Sequence, residues 1–137
     1  MLLRGNTLLV GGSFGSINGV LRANLAAVSA TTGAVLPWGS GANGRVEDLL
    51  LVADTLFVGG AFRTIHGVER SSLAALDVDD GAVLDWGFTF IGSPFAIGTP
   101  FVTRMALDGS RLYVGGDFNT INGLATGSFA AIERATA

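Results

Sequence analysis

The sequence lacks cysteine and lysine, and it contains a single histidine among 137 residues. Without cysteine there can be no disulfide, thiol catalysis or cysteine-ligated metal site. A lone histidine leaves no second imidazole for a metal site and no evident Ser–His–acid triad. The net charge is −3 and the arginines are spread along the chain, so no basic stripe for nucleic acid is present. We therefore expect no cofactor and no nucleic-acid partner.

Long apolar runs are also missing, because glycine, asparagine and aspartate interrupt every apolar stretch. No segment could span a bilayer as a helix, so membrane insertion is not expected. The opening "MLLRGNTLLVGG" lacks the longer apolar region and small-residue cleavage site of a signal peptide. The chain is nevertheless 49% hydrophobic with 21 glycines, which is too apolar for a disordered protein and sufficient for one domain with a core.

Three nearly identical decapeptides stand out: "VGGSFGSING" at 10–19, "VGGAFRTIHG" at 58–67 and "VGGDFNTING" at 114–123. The first two copies stay more than half identical through to "GAVLPW" and "GAVLDW". Internal duplication with a period of roughly 50 residues is typical of solenoids and propellers. We predict a single repeat array over 1–137, with units at about 1–38, 46–86 and 102–137 and a loop insertion at 87–101.

Residue type favours the propeller. The chain does not show the i, i+3, i+4 spacing of apolar residues that helical repeats need. It shows short β-rich runs bounded by turn residues, and the second unit contains four: "VEDLLLVA", "TLFVGGAF", "SSLAALDV" and "GAVLDW". Adjacent apolar residues in "LFV" require a strand buried on both faces. The double glycine suits a close approach between blades or a β-bulge. We predict an all-β array of four-stranded antiparallel blades, with two full blades and one incomplete blade.

These motifs also resemble a known family. "LYVGGDFNTING" followed by "FAAI", and "VGGAFRTIHGVERSSLAALDVDDGAVLDW", resemble the bacterial Delta-60 repeat, a β-propeller family of uncharacterised function, over nearly the whole chain. The tail "LAALDVDDGAVLDW" is similar to the end of quinoprotein blades, and the double glycine is similar to that of kelch blades. The resemblance implies a propeller within a cell-surface or secreted bacterial protein.

The insertion at 87–101 indicates where a binding face would lie. Links alternate ends in an antiparallel blade, so "RTIHGVER" at 63–70 should share the end of the insertion, and propellers often bind through the loops of one end. The candidate ligand-facing residues are Arg22, Arg70, His66 and Phe95.

Each candidate also has a structural interpretation. His66 stands where Asn18 and Asn122 stand, in a turn that requires positive φ, so it is a candidate variant turn residue. Arg22 and Arg70 occupy equivalent positions in the first two units, and each could tie its loop to backbone carbonyls or to an acidic residue of a neighbouring blade. The phenylalanines of the insertion could fill a seam between blades instead of contacting a ligand. The acidic "DVDDG" at 77–81 lacks the remaining ligands of a calcium loop and indicates a hairpin turn.

The sequence favours a non-catalytic binding or scaffold module that takes a protein or a glycan. A propeller-based enzyme, quinoprotein-like or a polysaccharide lyase, is the alternative, although it would need converging histidine and acidic residues or a cofactor clamp. Met1 aligns inside a first strand and Ala137 aligns before a fourth strand. Because a closed propeller needs at least ~4 blades, we expect either continuation into a longer propeller or a homo-oligomer that closes a ring.

Overall fold

The computed structural model describes residues 1–88, 90–92 and 99–134, and these residues form an all-β protein. Within these ranges no helix is long and apolar enough to cross a membrane. The strands are β1 (Leu2–Arg4), β2 (Thr7–Gly11), β3 (Ser16–Ile17), β4 (Val20–Leu21), β5 (Leu25–Ser29), β6 (Val46–Val52), β7 (Thr55–Gly60), β8 (Thr64–Ile65), β9 (Val68–Glu69), β10 (Leu73–Asp77), β11 (Phe90–Ile91), β12 (Phe101–Asp108), β13 (Arg111–Asp117), β14 (Thr120–Ile121), β15 (Leu124–Ala125) and β16 (Phe129–Glu133).

Each predicted unit contains a three-stranded antiparallel sheet, and the double glycine lies at the end of its central strand. The sheets have the order β1-β2-β5, β6-β7-β10 and β12-β13-β16. A short hairpin joins the second and third strand of each sheet: β3-β4, β8-β9 and β14-β15. The hairpin turns hold Asn18, His66 and Asn122 at φ of 47°, 48° and 50°, each followed by a glycine that also has positive φ. Two consecutive positive φ angles are characteristic of a type I′ turn.

The prediction of a full fourth strand in the first two units is wrong. Val35 and Val83 each form one isolated antiparallel bridge, to Val28 and Leu76 respectively. Directly after the bridge the backbone turns tightly, because the Trp38 N–H donates to Leu36 O at 2.8 Å, two residues back. A turn of this kind ends a ladder at the edge of a sheet. Each complete unit is therefore a three-stranded sheet with one bridged segment, and the 87–101 insertion contains the short strand β11.

The second sheet is buried on both faces, as its sequence predicts. Leu56 and Val58 point into a core shared with the first unit. Phe57 and Ala75 point into a second core shared with the third unit. Since neighbouring residues of a strand face opposite sides, this alternation stacks three sheets face to face with two apolar layers between them.

In the first two units, the first glycine of the pair provides room for the next unit. A β-carbon at Gly11 would come within 2.6 Å of Val46 Cγ1, and one at Gly59 would come within 2.8 Å of Val102 Cγ1. Val46 and Val102 occupy equivalent positions at the start of β6 and β12. The predicted close approach between neighbouring units is therefore confirmed.

In the second and third units, the second glycine of the pair lies on a bulge within its own sheet. A β-carbon at Gly60 would overlap the carbonyl oxygen of Arg45, and one at Gly116 would overlap that of Phe101. At both places the ladder slips, between Val46 and Asp48 in β6 and between Val102 and Arg104 in β12. The sequence offered the close approach and the bulge as alternative explanations of the double glycine. The first glycine of the pair accounts for the close approach, and the second accounts for the bulge.

The tryptophans that end the first two units fasten each unit to the next. Trp38 Nε1 donates to Val78 O at 2.9 Å, and Trp86 Nε1 donates to Arg134 O at 2.9 Å. Both acceptors directly follow the third strand of the neighbouring unit. Each indole therefore contacts the neighbouring unit with its N–H satisfied.

Candidate functional site

The hairpins and the connections between units meet at one end of the stack. The Asn43 side chain, in the first connection, accepts hydrogen bonds from the backbone of Arg63 at 2.8 Å and of Thr64 at 2.9 Å. In the second connection, β11 pairs with β14 of the third hairpin. The insertion and the hairpins therefore share an end in the described part of the chain, as the strand connectivity predicts. We call this the hairpin end.

A cleft of about 710 Å³ opens at the hairpin end, at the junction of the second and third units. This volume is typical of sites that take small molecules or short segments of larger ligands. The lining combines both signs of charge, hydroxyls, amides and aromatic rings. It includes Asn43, Arg63, Thr64, Glu69, Arg70, Asp85, Phe88, Phe90 and Asn122.

Two arginines of the cleft differ in what they already bind. Arg70 donates to Leu84 O at 3.1 Å and to Glu69 O at 2.8 Å, and it lies 3.7 Å from the Asp85 carboxylate. It ties the hairpin to the bridged segment of its own unit, which confirms the structural interpretation of Arg70. Because Arg70 also lines the cleft, its ligand-facing role stays a prediction. The exposed Arg63 has no side-chain hydrogen bond or ion pair to any described residue, and its guanidinium can bind an incoming ligand.

His66 and Arg22 lie outside the cleft lining, at the junction of the first two units. His66 Nδ1 accepts a hydrogen bond from the Gly41 N–H at 3.0 Å, and the ring stands edge-on to Trp38 with centroids 5.2 Å apart. Arg22 donates to Leu21 O at 2.8 Å. The variant-turn interpretation of His66 is confirmed. A ligand-facing role for either residue stays a prediction.

The environment of His66 predicts a pH dependence of stability. Burial lowers its pKa below 6.5, and the positive charge of nearby Arg22 lowers the pKa further. A depressed pKa means that the fold favours the neutral ring, so its contribution is complete above pH 6.5 and is lost as the pH falls toward the pKa of the folded state. We expect the melting temperature to fall more between pH 7.5 and 5.5 in the wild type than in His66→Asn, in which asparagine occupies the same turn as in the other units. An equal fall in both proteins would contradict this assignment.

The phenylalanines of the insertion divide by position. Phe95 lies outside the described residues, so its predicted contact with a ligand stays a prediction. Phe88 stands edge-on to Trp86 with centroids 5.1 Å apart, and Phe90 stands edge-on to Phe118 with centroids 5.2 Å apart. These two rings fill the seam between the second and third units and at the same time form the apolar wall of the cleft.

Sequence reasoning missed Arg63 and Asn43. Arg63 stands where the other units have Gly15 and Asn119. The signal available in the sequence was that only one of the three units has an arginine at this position. Asn43 lies in a connection that has no counterpart of equal length, and only its two contacts with the hairpin backbone reveal its role.

No family model, no curated protein and no solved structure matches this chain. Among the described residues, no group of three or more histidine, aspartate or glutamate side chains could hold a metal ion. A functional interpretation consequently depends on the geometry of the hairpin end, and membership of the Delta-60 family stays a prediction.

Proposed function

We propose that the chain is a non-catalytic binding or scaffold module, part of a β-propeller in a bacterial surface or secreted protein. Three like sheets stacked face to face support the propeller architecture, because blades of a propeller pack in this way. Repetition of the indole-to-carbonyl hydrogen bond between successive units supports it further. The cellular setting rests on the resemblance of the repeat alone.

The observation that carries the binding function is the guanidinium of Arg63, which pairs with no described residue and lies at the rim of a cleft with an aromatic wall. Phe88 offers a partly buried ring, and Glu69 and Asp85 place carboxylates in the same lining. Side chains of this kind hydrogen-bond hydroxyl, amide and carboxylate groups while the ring packs against an apolar face. A glycan or an extended peptide combines these features, and the cleft is assigned to such a ligand.

Binding can be tested by screening the purified chain against immobilised oligosaccharides and linear peptides. For any ligand found, we expect Arg63→Ala to weaken binding at least tenfold, since a hydrogen bond to a charged group contributes about 1.5–3 kcal/mol. Arg111→Ala is the matched control, because Arg111 is also exposed but pairs with Glu133 on the third sheet, outside the cleft lining. Titration by isothermal calorimetry measures both.

Two results would contradict the proposal. One is a folded chain that binds none of the immobilised probes. The other is a ligand whose affinity falls equally with Arg63→Ala and with Arg111→Ala, because that ligand would respond to net charge and not to the cleft.

A further inference from the structure

The third unit presents outward the face that the second unit buries. In the second unit, Phe57 is 3% exposed and Leu73 is fully buried against the third unit. Their equivalents Tyr113 and Phe129 stack on each other with centroids 6.0 Å apart, and Phe129 is 61% exposed. The same sheet surface is therefore filled at one junction and open on the third unit.

The first unit presents the complementary face. Met105 and Leu107 pack on the core between the second and third units. Their equivalents in the first unit are Met1 and Leu3, and both are exposed, Leu3 by 64%. The groups that seat the third unit on the second are thus repeated on the opposite side of the stack, without a described neighbour.

We propose that a second copy of this chain docks head to tail, with its first unit on the outward face of the third unit. The docking repeats the way in which the third unit packs on the second. A β-carbon at Gly59 would meet Val102 and, at 3.4 Å, the terminal methyl group of Met105, whereas at Gly115 it would meet nothing closer than Ser128 O at 3.9 Å. Met1 of the second copy takes the place of Met105 in this arrangement.

Charge complementarity selects the first unit as the occupant. At the first junction, Arg4 pairs with Asp54 at 2.7 Å and lies 3.5 Å from Asp79. The equivalent of Arg4 in the third unit is Asp108, which reverses the charge on the outward face. A unit carrying Asp54 and Asp79 would repel it, because like charges at this distance are unfavourable.

The first unit avoids that repulsion. Its residues at the positions of Asp54 and Asp79 are Asn6 and Thr31, and neither is charged. The Thr31 hydroxyl donates to Asn6 Oδ1 and one amide N–H of Asn6 donates to Ser29 Oγ at 3.3 Å, so the second amide N–H of Asn6 can donate a hydrogen bond to a carboxylate. The two sides of the proposed contact therefore differ from the internal junction in a matched way. Head-to-tail docking uses two different faces, so it closes into a ring or extends into a filament. It is independent of the cleft ligand.

The test is the mass of the intact chain by native mass spectrometry and light scattering over a hundredfold range of concentration. We expect concentration-dependent oligomers that Gly115→Val and Phe129→Asp each weaken at least tenfold. Valine at Gly115 suits a strand and meets open space in the single chain, so it should block docking without unfolding the sheet. Leu124→Asp is the control, because Leu124 is also exposed but lies on the hairpin strand β15.

Mixing two variants tests the head-to-tail geometry. Leu3→Asp damages the first-unit face and Phe129→Asp damages the third-unit face, so each variant alone should associate at least tenfold more weakly than the wild type. Their mixture should form a one-to-one heterodimer through the two intact faces. A folded wild-type chain that stays monomeric at every concentration would overturn the proposal, as expected if the face receives a different repeat unit. Association that Gly115→Val leaves unchanged, or a mixture without heterodimer, would also overturn it.

Discussion

Gly60→Ala is expected to lower the free energy of unfolding by about 3 kcal/mol, the upper part of the range for overpacked sites. The added β-carbon would overlap the carbonyl oxygen of Arg45 and lie 2.9 Å from Val46 Cα. Both are backbone atoms of the neighbouring strand, so no side-chain rotation can relieve the overlap and the bulge between β6 and β7 must open. Urea denaturation followed by circular dichroism measures the loss.

Gly12→Ala is the matched control at the same position of the first unit. There the β-carbon would meet only the Phe14 ring, at 3.5 Å, which is an ordinary contact. Neither Gly12 nor Gly60 has a positive φ, so backbone strain cannot account for a difference between the variants. We expect a change within about 0.5 kcal/mol for Gly12→Ala. A similar loss in both variants would show that glycine entropy, and not the bulge, sets the effect.

The contrast between these glycines illustrates how far a repeat can be interpreted from its sequence. The double glycine and the unbroken apolar run in "LFV" are local signals, and they correctly predicted a central strand of the second sheet that is buried on both faces, with close contacts between units. The sequence could not show which glycine faces the next unit, because Gly59 and Gly60 differ only in their three-dimensional neighbours. That division depends on the register between β6 and β7.

The prediction of a fourth strand failed for a different reason. "GAVLDW" has the apolar composition of a strand, yet only Val83 forms a bridge. The backbone N–H of Trp86 instead donates to Leu84 O and forms a turn. The indole N–H of Trp86 then donates to Arg134 O of the next unit. A contact between units decides the path of this segment, and such a contact is invisible to a pattern of neighbouring residues.

The location of the candidate site was predictable from the sequence, but the contacts of its individual residues were not. Antiparallel connectivity alone puts the insertion and the hairpins at the same end, and the pairing of β11 with β14 agrees. Arg70 and Arg63 lie on the same hairpin, but only the distance to Leu84 O shows that Arg70 is already engaged. Whether an arginine is available to a ligand depends on its partners in space, so the sequence could single out the repeated Arg70 but could not indicate Arg63.

Trp38→Ala is expected to destabilise the chain by about 4 kcal/mol, within the range for truncation of a large buried aromatic residue. Trp38 is 4% exposed and belongs to the core between the first two units. Truncation removes this packing, leaves Val78 O without its donor at 2.9 Å and removes the edge contact with His66. Thermal and urea unfolding, with near-ultraviolet circular dichroism as a check on folding, measure the loss.

Trp38→Phe separates the hydrogen bond from the packing. Phenylalanine keeps most of the apolar contact but cannot donate to Val78 O, and an unsatisfied buried carbonyl costs about 1–3 kcal/mol. Trp86→Phe removes the equivalent bond to Arg134 O at a tryptophan that is only partly buried, where water can replace the donor. We therefore expect the phenylalanine substitution to cost more at Trp38 than at Trp86. If Trp38→Phe is as stable as the wild type, packing alone joins the first two units and the repeated hydrogen bond is incidental.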